Sequence, residues 1–335
     1  MTPHEQEQIR KWGRAVSVKT RIQLLRTEDP RSRELARFCE DLAGLAPGIH
    51  VTREEGAPGD LPAIGIGDSI TIHGVPIGTE LAPFLDALSG RHEGYALSGA
   101  DRRRLERVDL PALLRLFVTP QCGFCPGVVR QLLALASASR SIHLVIVDGT
   151  LFPEVARSEK IQSVPTLILD TMFRWTGSVK LQELLAVIES RDPVTLGSSS
   201  LENMLKQGEA SRLAGLMLQQ ETIFPALIDL LAHRKWPVRL GAMVAMEEIA
   251  ERRPELARTV AGPLWQKFEA AEEQAKGDIL HVLGEIADRR YVSALLRVRD
   301  GAYGKEITEA AKEALEKIAE REGGLTTKLS PEADG

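Results

Sequence analysis

The chain has 335 residues, of which 43% are hydrophobic and 27% charged, with a net charge of −5. That length exceeds one ordinary domain, the composition suits packed cores, and the charge offers nothing to nucleic acid or an anionic membrane. The polar start Met1-Thr2-Pro3-His4-Glu5 lacks a secretory apolar region, no apolar run reaches about 18 residues, and three cysteines cannot make a disulfide scaffold, so a cytoplasmic protein is expected.

The periodicity predicts an amphipathic stretch at 5–16 and a strand at 21–25. A helix at 32–44 follows, with Leu35, Phe38, Cys39 and Leu42 on one face. After a Gly/Pro-rich turn come strands at 61–64 and 69–75 and a closing helix at 79–88. Ser98 is an expected N-cap with Asp101 three positions on, opening a helix to about 108. A buried strand at 113–118, a helix at 125–137 and a second buried strand at 142–147 follow. A short helix at 155–160, strands at 164–169 and 173–176, and a helix at 180–189 complete the segment. Strands alternating with helices predict an α/β sandwich whose first two strands are parallel. Leu24 to Leu45 lines up with Phe117 to Ala138 in element order, and Leu61-Pro62 falls near the place of Val164-Pro165. One α/β unit is therefore expected twice.

Asp192-Pro193 through Ser200 reads as a linker, and the remainder is helical. The strings at 244–251, 281–288 and 313–320 resemble one another at offsets of 37 and 32 residues, which is one helical hairpin each. Stacked hairpins of this kind form an α-solenoid, serving partner docking or equally stability and dimerisation.

The chemistry concentrates in Thr119-Pro120-Gln121-Cys122-Gly123-Phe124-Cys125-Pro126, between a strand and a helix start. A thiol at a helix N-terminus faces unpaired N–H groups and the positive end of the dipole, which favours the thiolate. A second thiol one turn on can resolve a mixed disulfide. The alternative for such a pair is a zinc or iron–sulfur site, but one further cysteine and seven histidines supply no completing spacing. Pro165 opens an apolar strand, and a cis bond there would set the Val164 backbone beside the dithiol, where an extended client could pair with it. The plain alternative is an edge-strand proline. Cys39, on an apolar face, reads as a small core residue. Gly65-Ile66-Gly67 lacks the third glycine of a dinucleotide fingerprint, so no flavin or nicotinamide cofactor is expected. Electrons then pass to or from another protein or a small thiol.

On the Cys-x-x-Cys and the Val164-Pro165-Thr166 loop, residues 98–190 resemble the thioredoxin/glutaredoxin superfamily. The doubled order in 1–190 resembles tandem glutaredoxin-like proteins, including archaeal-type protein disulfide oxidoreductases. It is also similar to the N-terminal module of the flavoprotein that reduces alkyl hydroperoxide peroxiredoxins. The resemblance implies Cys122 as nucleophile, Cys125 as resolving thiol and Pro165 as cis-proline, with Val164, Gly123 and Phe124 meeting a protein disulfide or thiol client. It departs in the first unit, where Asp29-Pro30-Arg31-Ser32 replaces a dithiol, and in the strand 113–118, which carries no acid to assist proton transfer. Cys-Gly-Phe-Cys is also similar to the cluster-sharing Cys-Gly-Phe-Ser glutaredoxins, whose Thr-Val-Pro and Gly-Gly are missing here. The helical part resembles HEAT-like repeats. The expected organisation is a thioredoxin-like domain without dithiol at 1–95, one with Cys-Gly-Phe-Cys at 96–191, a linker at 192–200, HEAT-like repeats at 201–322 and a flexible tail at 323–335.

Overall fold

The computed structural model describes residues 1–16, 20–91 and 94–321, and the expected tail lies outside them. The chain divides into two compact units, residues 1–191 and 192 onward.

The first unit opens with α1 (Pro3–Ala15), whose N-cap Thr2 and Glu5 form a capping box. Then come β1 (Thr20–Arg26), α2 (Ser32–Leu45), β2 (Ile49–Glu55), β3 (Ala63–Ile66), β4 (Ile70–His73) and α3 (Leu81–Leu88). α4 (Gly99–Leu105) leads to β5 (Ala112–Val118), α5 (Cys125–Ala138), β6 (Ile142–Asp148), α6 (Pro153–Ser158), β7 (Thr166–Leu169), β8 (Phe173–Thr176) and α7 (Leu181–Glu189). The strands make one eight-stranded sheet in the order β2-β1-β3-β4-β6-β5-β7-β8. Each half thus repeats one pattern: a parallel pair (β1 with β2, β5 with β6) extended by two antiparallel strands.

The halves are joined edge to edge. β4 pairs in parallel with β6, Ile70 opposite Leu144 and His73 opposite Val147, and one core runs from Ile9 to Ile188. This junction removes an exposed edge from each half, which is how a sheet avoids unpaired backbone groups. β5 is apolar almost throughout because both of its faces are covered. β2 was not among the expected strands. It is an edge strand in which only Ile49 is buried, and its remaining residues are polar or part-exposed.

The second unit is helical: α8 (Ser198–Lys206), α9 (Ala210–Gln219), α10 (Pro225–Leu231), α11 (Trp236–Arg252), α12 (Pro254–Arg258), α13 (Ala261–Phe268), α14 (Glu273–Ile286), α15 (Val292–Arg299) and α16 (Lys305–Arg321). α8 begins at Ser198, inside the stretch expected to be linker. The three similar strings fall on α11, α14 and α16, which pack in that order. Gly284 permits the close approach of α14 to α16, since a Cβ there would meet the Ala314 Cα at 2.9 Å. Arg239, fully buried, joins α11 to α14 by pairing with Asp278 at 2.6 Å and donating to the His233 carbonyl at 2.7 Å.

Candidate redox site

The loop between β5 and α5 brings Cys122 and Cys125 together as a disulfide, with Cα atoms 5.5 Å apart. The spacing works because the second cysteine is the first residue of α5, where an N–H has no partner within the helix. That Cys125 N–H donates to the Cys122 Sγ at 3.2 Å. The unpartnered N–H groups at the start of α5 and the positive end of its dipole thus face the Cys122 sulfur. Burial distinguishes the pair, because Cys125 is 0% exposed while Cys122 is partly exposed. Cys122 is therefore the more accessible of the two sulfurs.

Around this pair lie the other residues singled out from the sequence. Phe124 is 84% exposed and Gly123 is exposed, so the loop offers an aromatic ring beside the disulfide. The Val164–Pro165 peptide is cis, and the Val164 carbonyl oxygen lies 3.8 Å from the Cys122 Sγ. Among the described residues this is the one cis bond, so Leu61–Pro62, its counterpart in the first half, is trans. Cys39 is buried in the first half among Leu35, Phe38 and Leu42, and burial pushes its thiol up to about 12. It stays protonated and has no part in the site. No group of three or more His, Cys, Asp or Glu that could hold a metal occurs among the described residues. Nor is any described helix long and apolar enough to cross a membrane.

The sequence did not point to the contribution of the first half. The turn at Gly78-Thr79-Glu80 lies beneath the dithiol loop. The Thr79 hydroxyl donates to the carbonyls of Pro120 at 3.0 Å and Cys122 at 3.2 Å, and the Thr79 N–H donates to Pro120 at 3.1 Å. Gly78 has φ +59°, and a Cβ there would come within 2.6 Å of the Pro120 oxygen. Only glycine allows both that backbone and that approach. The Gly78 N–H is held in turn by Glu5 Oε1 at 2.8 Å, which ties the capped start of α1 to the turn.

The third residue of this turn, Glu80, is an acid. It is buried, its Oε1 has no hydrogen-bond partner among the described residues, and it lines a cavity of about 30 Å3 with Pro120, Val129, Leu133 and Asp148. Val129 and Leu133 follow Cys125 at i+4 and i+8, so the resolving cysteine shares the helix face that borders this cavity. Burial pushes the Glu80 carboxyl up to about 7; Arg130 pulls it down and Asp148 pushes it further up. An acid that titrates near neutrality can take or give a proton where a normal carboxylate cannot. A signal was present in the sequence: Glu80 shares the apolar face of α3 with Phe84 and Leu88, an unusual place for an acid.

Residues 114–189 match the family model described as a thioredoxin domain. An alkyl hydroperoxide reductase of Staphylococcus epidermidis is 27% identical over 170 residues, covering 48% of this chain and 32% of that protein. A Bacillus subtilis protein named NADH dehydrogenase is 25% identical over 169 residues, covering 49% of this chain and 33% of its own length. The chain thus spans about a third of the length of these curated relatives. Among solved structures, the N-terminal domain of alkyl hydroperoxide reductase from Enterococcus faecalis is 24% identical, covers 56% of this chain and 99% of that one, and gives a TM-score of 0.49. A protein disulfide oxidoreductase from Aeropyrum pernix is 13% identical, with 56% and 92% covered and a TM-score of 0.49. The second half of the α/β unit is a thioredoxin-like redox domain, similar to these proteins and carrying a cysteine pair at disulfide distance.

Proposed function

We propose that the chain is a thiol–disulfide oxidoreductase that exchanges disulfides with protein clients through Cys122 and Cys125. The observation that supports this best is the pair itself. One sulfur is accessible at a helix N-terminus, the other is buried behind it, and the Val164 carbonyl stands beside the accessible one. In the reductive direction the Cys122 thiolate attacks one client sulfur, forming a mixed disulfide and releasing the other client sulfur as a thiolate. Cys125 then gives up its proton and attacks Cys122, and the second client sulfur leaves and is protonated. Two electrons pass from the dithiol to the client, one proton leaves Cys125 and one is taken up by the second client sulfur, and the reverse sequence oxidises a client dithiol. Glu80 is the acceptor for the Cys125 proton, through a water in the cavity, which is large enough for one. Pro165 sets the Val164 backbone to pair with an extended client, and Phe124 and Gly123 supply the surface around it. An external reductase or a small thiol regenerates the dithiol, in a reducing cytoplasmic setting.

For the helical unit we propose HEAT-like stacked hairpins that dock a protein partner. One observation favours this and keeps a second reading, a docking scaffold with a regulatory dithiol, in play. Trp236, Leu240 and Val244, at 53%, 41% and 42% exposure, form an apolar stripe along α11. The test of the enzyme reading is insulin-disulfide reduction by the full chain with dithiothreitol, beside Cys122→Ser. Turnover that the substitution abolishes supports the oxidoreductase; no turnover above the dithiothreitol background from a dithiol that cycles normally supports the scaffold.

A further inference from the structure

The shift that carries Leu24 to Phe117 and Leu45 to Ala138 also carries Asp29 to Cys122, Arg31 to Phe124 and Ser32 to Cys125. In the second half the central side chain of that loop, Phe124, stands in solvent. In the first half its counterpart is fully engaged. Arg31 Nη1 donates to the Leu151 carbonyl at 2.9 Å and pairs with the Glu154 carboxylate at 2.7 Å. Its Nε and Nη2 hold Asp29 at 2.8 Å and 2.5 Å. The guanidinium carbon lies 4.1 Å from the centroid of the Phe152 ring. Phe152 is completely buried, meets the His73 ring edge-on at 5.9 Å, and packs with Leu61, the neighbour of Pro62. The face that in the second half carries the dithiol is, in the first half, filled by residues 151–154 of the same chain.

We infer that Arg31 is a positioning residue for client exchange at Cys122. The path is short and made of direct contacts. Arg31 fixes Phe152 by a cation over its ring and by its bonds to Leu151 and Glu154 on either side. Phe152 forms a small apolar cluster with Phe117, Val147 and Ile168, and Val164 packs against that cluster. Val164 in turn presents its carbonyl beside the Cys122 sulfur. The loop that stands in place of a dithiol in the first half thus anchors the client-pairing loop of the second. A guanidinium suits this task because its planar fork reaches a carboxylate, a carbonyl and a ring at once, which an ammonium cannot do. The inference rests on the client-exchange reading above, since a client that does not pair at Val164 would not sense Arg31.

The experiment compares the full chain with Arg31→Ala and Arg31→Lys on two substrates. Insulin is the protein client, and 5,5′-dithiobis(2-nitrobenzoate) is a small disulfide that needs no backbone pairing. For Arg31→Ala we expect KM for insulin to rise about five- to tenfold, while the rate of the reduced protein with the small disulfide stays within about twofold. Arg31→Lys, which keeps a cation over Phe152, should recover part of the loss. A folded Arg31→Ala with unchanged insulin KM overturns the inference, and so does an equal slowing with both substrates together with a lowered Tm. If Arg31→Ala does not fold, Phe152→Leu keeps the cluster apolar and removes the ring; it must raise the insulin KM at least about twofold, and an unchanged KM overturns the inference equally. A parent protein inactive on insulin overturns the client-exchange reading instead, so the two failures are distinct.

Discussion

The loops 29–32 and 122–125 leave matching strands, enter matching helices and sit at matching positions, yet one holds a disulfide and the other an arginine fork. At the first of the four positions Asp29 accepts from Arg31 where Cys122 accepts from the Cys125 N–H. At the last, the Ser32 hydroxyl accepts from the Thr27 N–H at 3.1 Å where Cys125 closes the disulfide. The difference extends to the surroundings. The 122–125 loop is supported from below by Thr79 and left open above, with Phe124 in solvent. The 29–32 loop is covered by Leu151 and Phe152. The scaffold therefore supplies only a helix N-terminus, and the chemistry comes from what lies beneath that terminus and what is kept away from it.

If the support beneath matters, Glu80→Gln should produce a large loss with both cysteines intact. We expect turnover above pH 7 to fall about tenfold or more, since a positioned base commonly contributes at least that much. The parent's rate should climb through about pH 7 as Glu80 ionises, and the variant should lose that rise. Stability should move the other way. Burial holds the folded-state carboxyl at about 7 against an ordinary 4.5, so folding favours the protonated form. That preference is complete below 4.5 and fades as the pH rises through 7, leaving a buried charge that costs up to about 3 kcal/mol. Glu80→Gln should therefore raise Tm at pH 8 and leave it nearly unchanged at pH 4, which calorimetry at the two pH values would check.

The comparison is sharpened by restoring cysteines to the first loop in the Cys122→Ser background. Asp29→Cys with Ser32→Cys should form a disulfide, because the backbone is equivalent, and yet give less than about a twentieth of the parent's insulin turnover. Mass spectrometry under both redox states and the turnover assay would decide. Substantial turnover would mean that position alone makes the site. The smallest effect is expected at Cys39→Ala, which removes one buried sulfur at about 1 kcal/mol of stability and leaves turnover unchanged. In the native parent Cys39 should resist alkylation at pH 8 while reduced Cys122 reacts, since burial holds its thiol near 12.

How much of this was legible depended on whether the signal was local. Leu35, Phe38, Cys39 and Leu42 announce α2 by their spacing, and the apolar run 113–118 announces β5, because each pattern needs only its own residues. β2 gave no such pattern, since an edge strand shows little of itself to the core. The cysteine pair was legible because its spacing is its chemistry. Glu80 was visible only as an acid on an apolar face, because its meaning arises when β4 joins β6 and sets the first half beneath the second half's loop. Arg31 stands in the sequence only as part of the string that replaces a dithiol; that it grips Leu151 and Glu154 is a contact over more than a hundred residues, beyond any periodicity.

The central claim, exchange with protein disulfides through Cys122, is met most directly by trapping. In Cys125→Ser the resolving thiol is gone, so a client attacked by Cys122 should remain attached. With reduced Cys125→Ser and oxidised insulin, peptide mapping should find insulin chains joined at Cys122, released by dithiothreitol and missing when Cys122 is also replaced by Ser. Adducts at Cys39, or none at a Cys122 that still reacts with small disulfides, would contradict the account.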